Sequence, residues 1–198
     1  MQLKYLTWLF AGILLMISAP ACRTQVVPSG NGRAGQAYAV GFGPSSYNMD
    51  YGHGRMLGGT VWGDWYPGRV PQGLGLEVEA RDLSLNRSSS QPKNLRQDTA
   101  GGGVIYSWEH YPRFHPYIKT LFEYGSFDFW SGSPRYTHDT RGLAAPGGGL
   151  EYHVYGPLWA RVDYEYQIWQ TLLGGNPDPQ GFTVGVSYSF GTSTQPSR

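Results

Sequence analysis

The sequence is short of charge of either sign, of cysteine and of long apolar runs, and each shortage excludes a class of protein. Its 15 basic and 14 acidic residues leave a formal charge of +1, so no basic face for nucleic acid is expected. The single cysteine, Cys22, excludes an internal disulfide and any metal cage built from cysteines. After the first 21 residues no apolar run is long enough for a membrane-spanning helix. What is plentiful instead is glycine, at 29 residues, with 15 Tyr and 7 Trp. That mixture suits strands and turns and argues against a helical bundle.

The chain opens with Lys4, an apolar core from Leu9 to Ile17 and the small-residue site Ala19-Pro20-Ala21. Residues 1–21 therefore read as a secretory signal peptide. Cys22 follows at once, where a lipid anchor would attach. A lipoprotein signal wants a Leu-like residue three positions earlier and Ala19 stands there, so simple cleavage leaving an inert thiol is preferred to lipidation. Residues 22–34 read as a flexible lead-in, 35–191 as one domain, and 192–198 as a disordered polar tail.

Within that domain the apolar residues recur with a period of two. The clearest case is GFTVGVSYSFG near the C-terminus, where Phe182, Val184, Val186, Tyr188 and Phe190 share one face and Thr183, Gly185, Ser187 and Ser189 the other. The stretch 158–169 puts Val162, Tyr164 and Tyr166 opposite Arg161, Asp163 and Glu165. Residues 73–85 put Leu74, Leu76, Val78 and Ala80 opposite Glu77, Glu79 and Arg81. Further strands are expected over 36–42, 55–66, 99–110, 115–127 and 141–154, which makes eight. Short turns at 67–72, 111–114 and 155–157 alternate with longer loops near residues 45, 86, 128 and 171. An even strand count with loops of alternating length is the pattern of a transmembrane barrel.

With these faces the chain resembles the eight-stranded outer-membrane β-barrel families of bacteria, in particular the barrel domain of outer membrane protein A and its porin-like relatives. The likeness spans about residues 35–191 and rests on the signal peptide, GLGLEVEARDLSL, GGGLEYHVYGPLWARVDYEYQIW and the closing GFTVGVSYSFG. It implies an all-β, eight-stranded antiparallel transmembrane β-barrel in the outer membrane, with short periplasmic turns and longer extracellular loops. The implied partners are outer-membrane lipids, the barrel-assembly machinery acting through the C-terminal strand, and surface ligands at the loops, with the barrel a monomer. A soluble lipocalin-like barrel is the competing fold; it would reverse the faces and line a ligand cavity with the apolar side chains.

A barrel of eight strands has an interior that side chains can fill. The inward phase nominates Glu77, Glu79, Arg81, Glu109, Lys119, Glu123, Glu151, Arg161, Asp163 and Glu165 as a charged lumen, with Arg81, Lys119 and Arg161 paired among the carboxylates. Tyr164, Tyr166, Phe182, Val184, Val186, Tyr188 and Phe190 are the lipid-facing set. A structural or surface-interaction role is expected, without enzymatic activity, cofactor or metal. A narrow channel for ions or small solutes is the first alternative. Lipid A modification is the second, and it is disfavoured because no His stands two residues from a Ser on a strand. His138-Asp139 do not make a metal pair, since adjacent residues of an extended chain point apart.

Overall fold

A segment whose apolar and polar residues alternate can satisfy both sets at once only as a strand between two different media. The computed structural model describes residues 37–48, 54–67, 73–85, 95–110, 113–130, 136–170 and 178–191. The expected signal peptide, the lead-in with Cys22 and the tail 192–198 lie outside the described residues. The strands are β1 (Ala37–Asn48), β2 (Arg55–Tyr66), β3 (Leu74–Leu85), β4 (Leu95–Ser107), β5 (Phe114–Trp130), β6 (Tyr136–Tyr155), β7 (Leu158–Tyr166) and β8 (Gln180–Gly191). After Gln167, a two-residue piece, Ile168–Trp169, continues β7 along β6.

Each strand pairs antiparallel with its neighbours in sequence, and β1 also pairs with β8, from Ala37 opposite Gly191 to Asn48 opposite Gln180. The sheet therefore closes into an eight-stranded antiparallel barrel with no free edge, which is what backbone amides need where no water can reach them. Among the described residues no helix is long and apolar enough to cross a membrane. The seam between β1 and β8 skips Gly43 and Pro44 between the pairs Phe42–Val186 and Ser45–Thr183, in keeping with a proline that has no N–H for the ladder.

Which face is which decides between the two barrel readings. Val40, Phe42, Val78, Phe122, Tyr124 and Phe182 point outward and are more than half exposed, while Glu77, Arg81, Lys119, Arg161 and Glu165 are buried inside. So much apolar surface on the outside belongs in hydrocarbon, and the lipocalin-like arrangement is excluded. At the end that carries the termini and the connections 67–73, 108–113 and 156–157, outward aromatics gather into a girdle. Tyr38 stacks on Trp65, Tyr106 meets Trp108 edge-on, and Phe114 packs on Tyr152 and Tyr188 on Phe190. Rings of this kind settle at the headgroup level. Gly156 makes the two-residue turn between β6 and β7 with φ 56°, a conformation that costs a glycine little.

Several strands run past the boundaries that periodicity suggests. β1 continues to Asn48 instead of stopping near 42, and β4 starts at Leu95 and ends at Ser107 instead of covering 99–110. β5 and β6 extend to Trp130 and from Tyr136, so the loop expected over 128–140 shrinks to 131–135. The cause is common to all of them. Beyond the hydrocarbon the outward positions are polar, as at Ser46 and Asn48 or Arg96 and Asp98, so the alternation fades while the hydrogen-bond ladder goes on. Crossing the membrane takes roughly 9–11 residues per strand, so the β5–β6 hairpin rises well clear of it on the loop side.

Candidate functional site

The inward faces of β3 and β7, on opposite walls of the barrel, each carry three charged residues at alternate positions: Glu77, Glu79 and Arg81 on one, Arg161, Asp163 and Glu165 on the other. Lys119 enters from β5 and joins them. Its Nζ lies 2.9 Å from Glu77, 2.7 Å from Glu79, 2.8 Å from Asp163 and 3.2 Å from Glu165. One ammonium, whose three hydrogens point in three directions, is thus shared by four carboxylates drawn from both walls.

The two guanidinium groups flank it. Arg161 reaches Glu77 at 2.7 Å, Asp163 at 2.9 Å and Asp64 of β2 at 3.5 Å, and its Nε donates to Tyr117 Oη at 2.7 Å. Its planar head lies between the rings of Trp62 and Tyr117, 4.8 and 4.6 Å from their centroids. Arg81 grips Glu165 with two donors, at 2.7 and 3.0 Å, pairs with Glu79, donates to Thr60 and lies over Tyr47. These planar contacts are ones a lysine could not reproduce. Glu77, Glu79 and Asp163 stand close enough together to hold a metal ion, and the Lys119 ammonium occupies the place such an ion would take.

Apolar and neutral polar side chains stack on either side of the charged layer. Toward the loops, Phe127 and Trp169 pack at 4.5 Å with Leu121, Leu143 and Ala145, and Tyr47, Met56 and Leu83 form a second cluster. Gln97 donates to Gln167 across the barrel at 2.6 Å, and the Trp169 indole donates to the same Gln167 oxygen at 3.2 Å. Toward the termini lie Ala37, Tyr66, Ile105 and Tyr117. Glycine triplets border β5 on both sides, Gly101–Gly103 on β4 and Gly147–Gly149 on β6. They leave room for large side chains of β5 to lie down, as Tyr117 does over Gly149.

Of the charged residues singled out by spacing, Glu77, Glu79, Arg81, Lys119, Arg161, Asp163 and Glu165 meet in one network. Glu151 is fully buried on β6, cross-strand from both His115 and Arg161. Glu123 is buried on β5 above the network, and neither carboxylate oxygen has a hydrogen-bond partner. Glu109 is the exception: β4 ends at Ser107, so Glu109 stands half-buried in the turn beyond the strand. Of the outward set, Tyr164, Phe182, Val184, Val186, Tyr188 and Phe190 are exposed and Tyr166 is half-buried. Charge spacing does not single out Asp64, Tyr117, Thr60 and Tyr47, which also belong to the network. Asp64 and Thr60 share the inward phase of β2 with Trp62, a signal that was available, whereas Tyr47 lies past the point where the period of β1 fades.

Glu123 gives a direct check on this geometry. Because it has no hydrogen bond to lose, Glu123→Gln is expected to leave stability unchanged within about 1 kcal/mol or to raise it, since an unpaired buried charge is a burden. Urea unfolding in micelles, followed by tryptophan fluorescence, measures this.

A family model described as the outer membrane protein beta-barrel domain matches residues 9–190. No curated protein matches the chain in sequence. Among solved structures it is similar to Neisserial surface protein A, at 12% identity and TM-score 0.63, covering 78% of this chain and 97% of that one. It is also similar to Ail, the attachment invasion locus protein of Yersinia pestis, at 14% identity and TM-score 0.59, covering 79% and 99%. A third likeness is to the outer membrane protein OprG of Pseudomonas aeruginosa, at 13% identity and TM-score 0.60, covering 81% and 99%. At such identities the likeness is one of fold.

Proposed function

The chain belongs to the outer membrane protein β-barrel domain family and so to the bacterial outer membrane, and from that premise we propose that it is a structural or surface-interaction barrel whose lumen is plugged by its own charged side chains. The observation that carries this reading is the single Lys119 ammonium bound by carboxylates of both β3 and β7. An ion crossing the barrel would have to break several charge-assisted hydrogen bonds in a space where water cannot replace them. Recognition would fall to the loop side, where β5 and β6 outrun the membrane. The connecting loops themselves lie outside the described residues. The barrel is read as a monomer, delivered to the membrane by assembly machinery that engages the last strand, β8.

Conductance in a planar lipid bilayer tests the plug. No steps above leak are expected for the reconstituted barrel at neutral pH, and reproducible unitary steps would reject it in favour of the narrow channel. One feature favours that second reading: among the described residues Asp64, Glu77, Glu79, Glu123, Glu151, Asp163 and Glu165 are buried with Arg81, Lys119 and Arg161, and with His115 cross-strand from Glu151, so buried carboxylates outnumber the lysine and arginines. Any steps would accordingly be cation-selective. A lipid A-modifying role is not favoured. His153 Nε2 is engaged with the carbonyl oxygen of Gly156 at 2.8 Å, and His110 stands in an exposed turn.

A further inference from the structure

The charged network stops short of Glu123. Its side chain is buried on β5 and its stem lies toward β4: a methyl group added at Gly101, cross-strand from Glu123, would come within 2.8 Å of the Glu123 Cγ. The cations beneath it are committed elsewhere. Arg81 donates to Thr60, Glu79 and Glu165, Lys119 is shared by Glu77, Glu79, Asp163 and Glu165, and Arg161 serves Glu77, Asp163, Asp64 and Tyr117. Neither oxygen of Glu123 meets a donor among the described residues.

Two more oxygens on this wall share that lack. Thr99 of β4 is cross-strand from Gly125, one inward position beyond the pair of Gly101 and Glu123, and Gln97 is the next inward residue. With glycine at 101 and 125, neither strand places a side chain of its own between Thr99 and Glu123, and long side chains at such diagonal positions reach one another. Thr99 and Gln97 are both buried. The Thr99 hydroxyl has no hydrogen-bond partner, and Gln97, anchored through its amide nitrogen on Gln167, leaves its carbonyl oxygen without one. These four oxygens have one hydrogen to share between them, that of the Thr99 hydroxyl. On the loop side the Trp169 ring lies against Gly125 and covers this level of the lumen.

We propose that Glu123, Thr99 and Gln97 form a binding site for one alkali-metal cation, sodium or potassium, at the loop-side edge of the charged layer. Carboxylate, hydroxyl and amide oxygens are the donors that a hard cation takes. A buried charge must be paired or must coordinate a metal, and the one carboxylate that no arginine or lysine serves matches a single positive charge. A proton would also neutralise Glu123, but a proton joins only two oxygens, whereas a cation is held by all four at once.

The test is urea unfolding of the whole barrel in micelles at about pH 8, with sodium or potassium chloride replacing choline chloride at constant ionic strength; choline is too large for the site. An ion held only by the folded state raises stability with its concentration. The wild-type midpoint is therefore expected to rise as sodium or potassium replaces choline, and the ion that acts at the lower concentration is the one bound. Glu123→Gln, at least as stable as the wild type in choline, is expected to lose the response. Thr99→Val is expected to need on the order of tenfold more ion for the same shift. Fast gel migration of the unheated protein shows that each variant is folded. A wild-type midpoint equal in all three salts would overturn the site, as would an undiminished response in folded Glu123→Gln. A midpoint that moves between about pH 6 and pH 8 but with neither ion would give the place to a proton and overturn it as well. Should Glu123→Gln not fold, an undiminished response in Thr99→Val overturns the site in its stead.

Discussion

Replacing Lys119 by Met is expected to cost the barrel about 3–5 kcal/mol of stability, the loss typical of removing one partner from a buried ion pair. Met nearly matches the length of the lysine stem, so packing changes little and the charge is what is lost. Without it, Glu77, Glu79, Asp163 and Glu165 keep only Arg81 and Arg161 as cations within reach. Four carboxylates that shared an ammonium would then repel one another in an interior without water to screen them. Urea unfolding of the reconstituted barrel, read by its tryptophan fluorescence, should show a lower midpoint with an unchanged slope. Lys119→Arg keeps the charge but not the compact shape that reaches four acceptors, so it is expected to fall in between. A wild-type midpoint for Lys119→Met would mean that these carboxylates do not depend on that cation, and the charged-plug reading would fail with it.

The second large effect comes from space instead of charge. Gly149→Leu is expected to cost about 3 kcal/mol or more, the upper end of what overpacking does. A Cβ at this position would overlap the Val162 carbonyl oxygen on the adjacent strand and come within 2.7 Å of the Tyr117 hydroxyl. The carbonyl belongs to β7 and cannot retreat without opening the ladder between Gly149 and Asp163. Tyr117 could move only by giving up its donation to Asp163 and its hold on the Arg161 guanidinium. One methyl group would therefore disturb backbone pairing and the charged layer together. The unheated variant should lose the fast gel migration of a folded barrel, whereas Gly59→Leu, on the open outer face, should keep it. Fast migration of unheated Gly149→Leu would show that β6 and β7 can separate there at little cost.

How much of this was readable beforehand differs from strand to strand. In β3, β7 and β8 every outward position within the hydrocarbon is apolar or aromatic, so a period of two identifies the strand and separates its two faces cleanly. At the ends of β1, β4, β5 and β6 the outward residues are polar because they stand above the hydrocarbon, and the same period loses its contrast. The strands continue there because neighbouring strands hold their hydrogen bonds, and that is a property of the assembled sheet. Glu109 shows the reverse error: its phase was right, but β4 stops at Ser107 before reaching it.

Local alternation by itself determined that the chain is built of strands and which residues share a face, because alternate side chains of any strand must point to opposite sides; that the charged face is the inner one was settled by the closed barrel. Pairing inside the barrel was decided only by the tertiary structure. Residues distant in the chain, such as Lys119 and Glu165 or Gln97 and Gln167, become neighbours only after the sheet has closed on itself in one register. That Lys119 serves four carboxylates while Glu123, four residues along the same face, accepts no hydrogen bond depends on that register and on the room left by glycines in the adjoining strands.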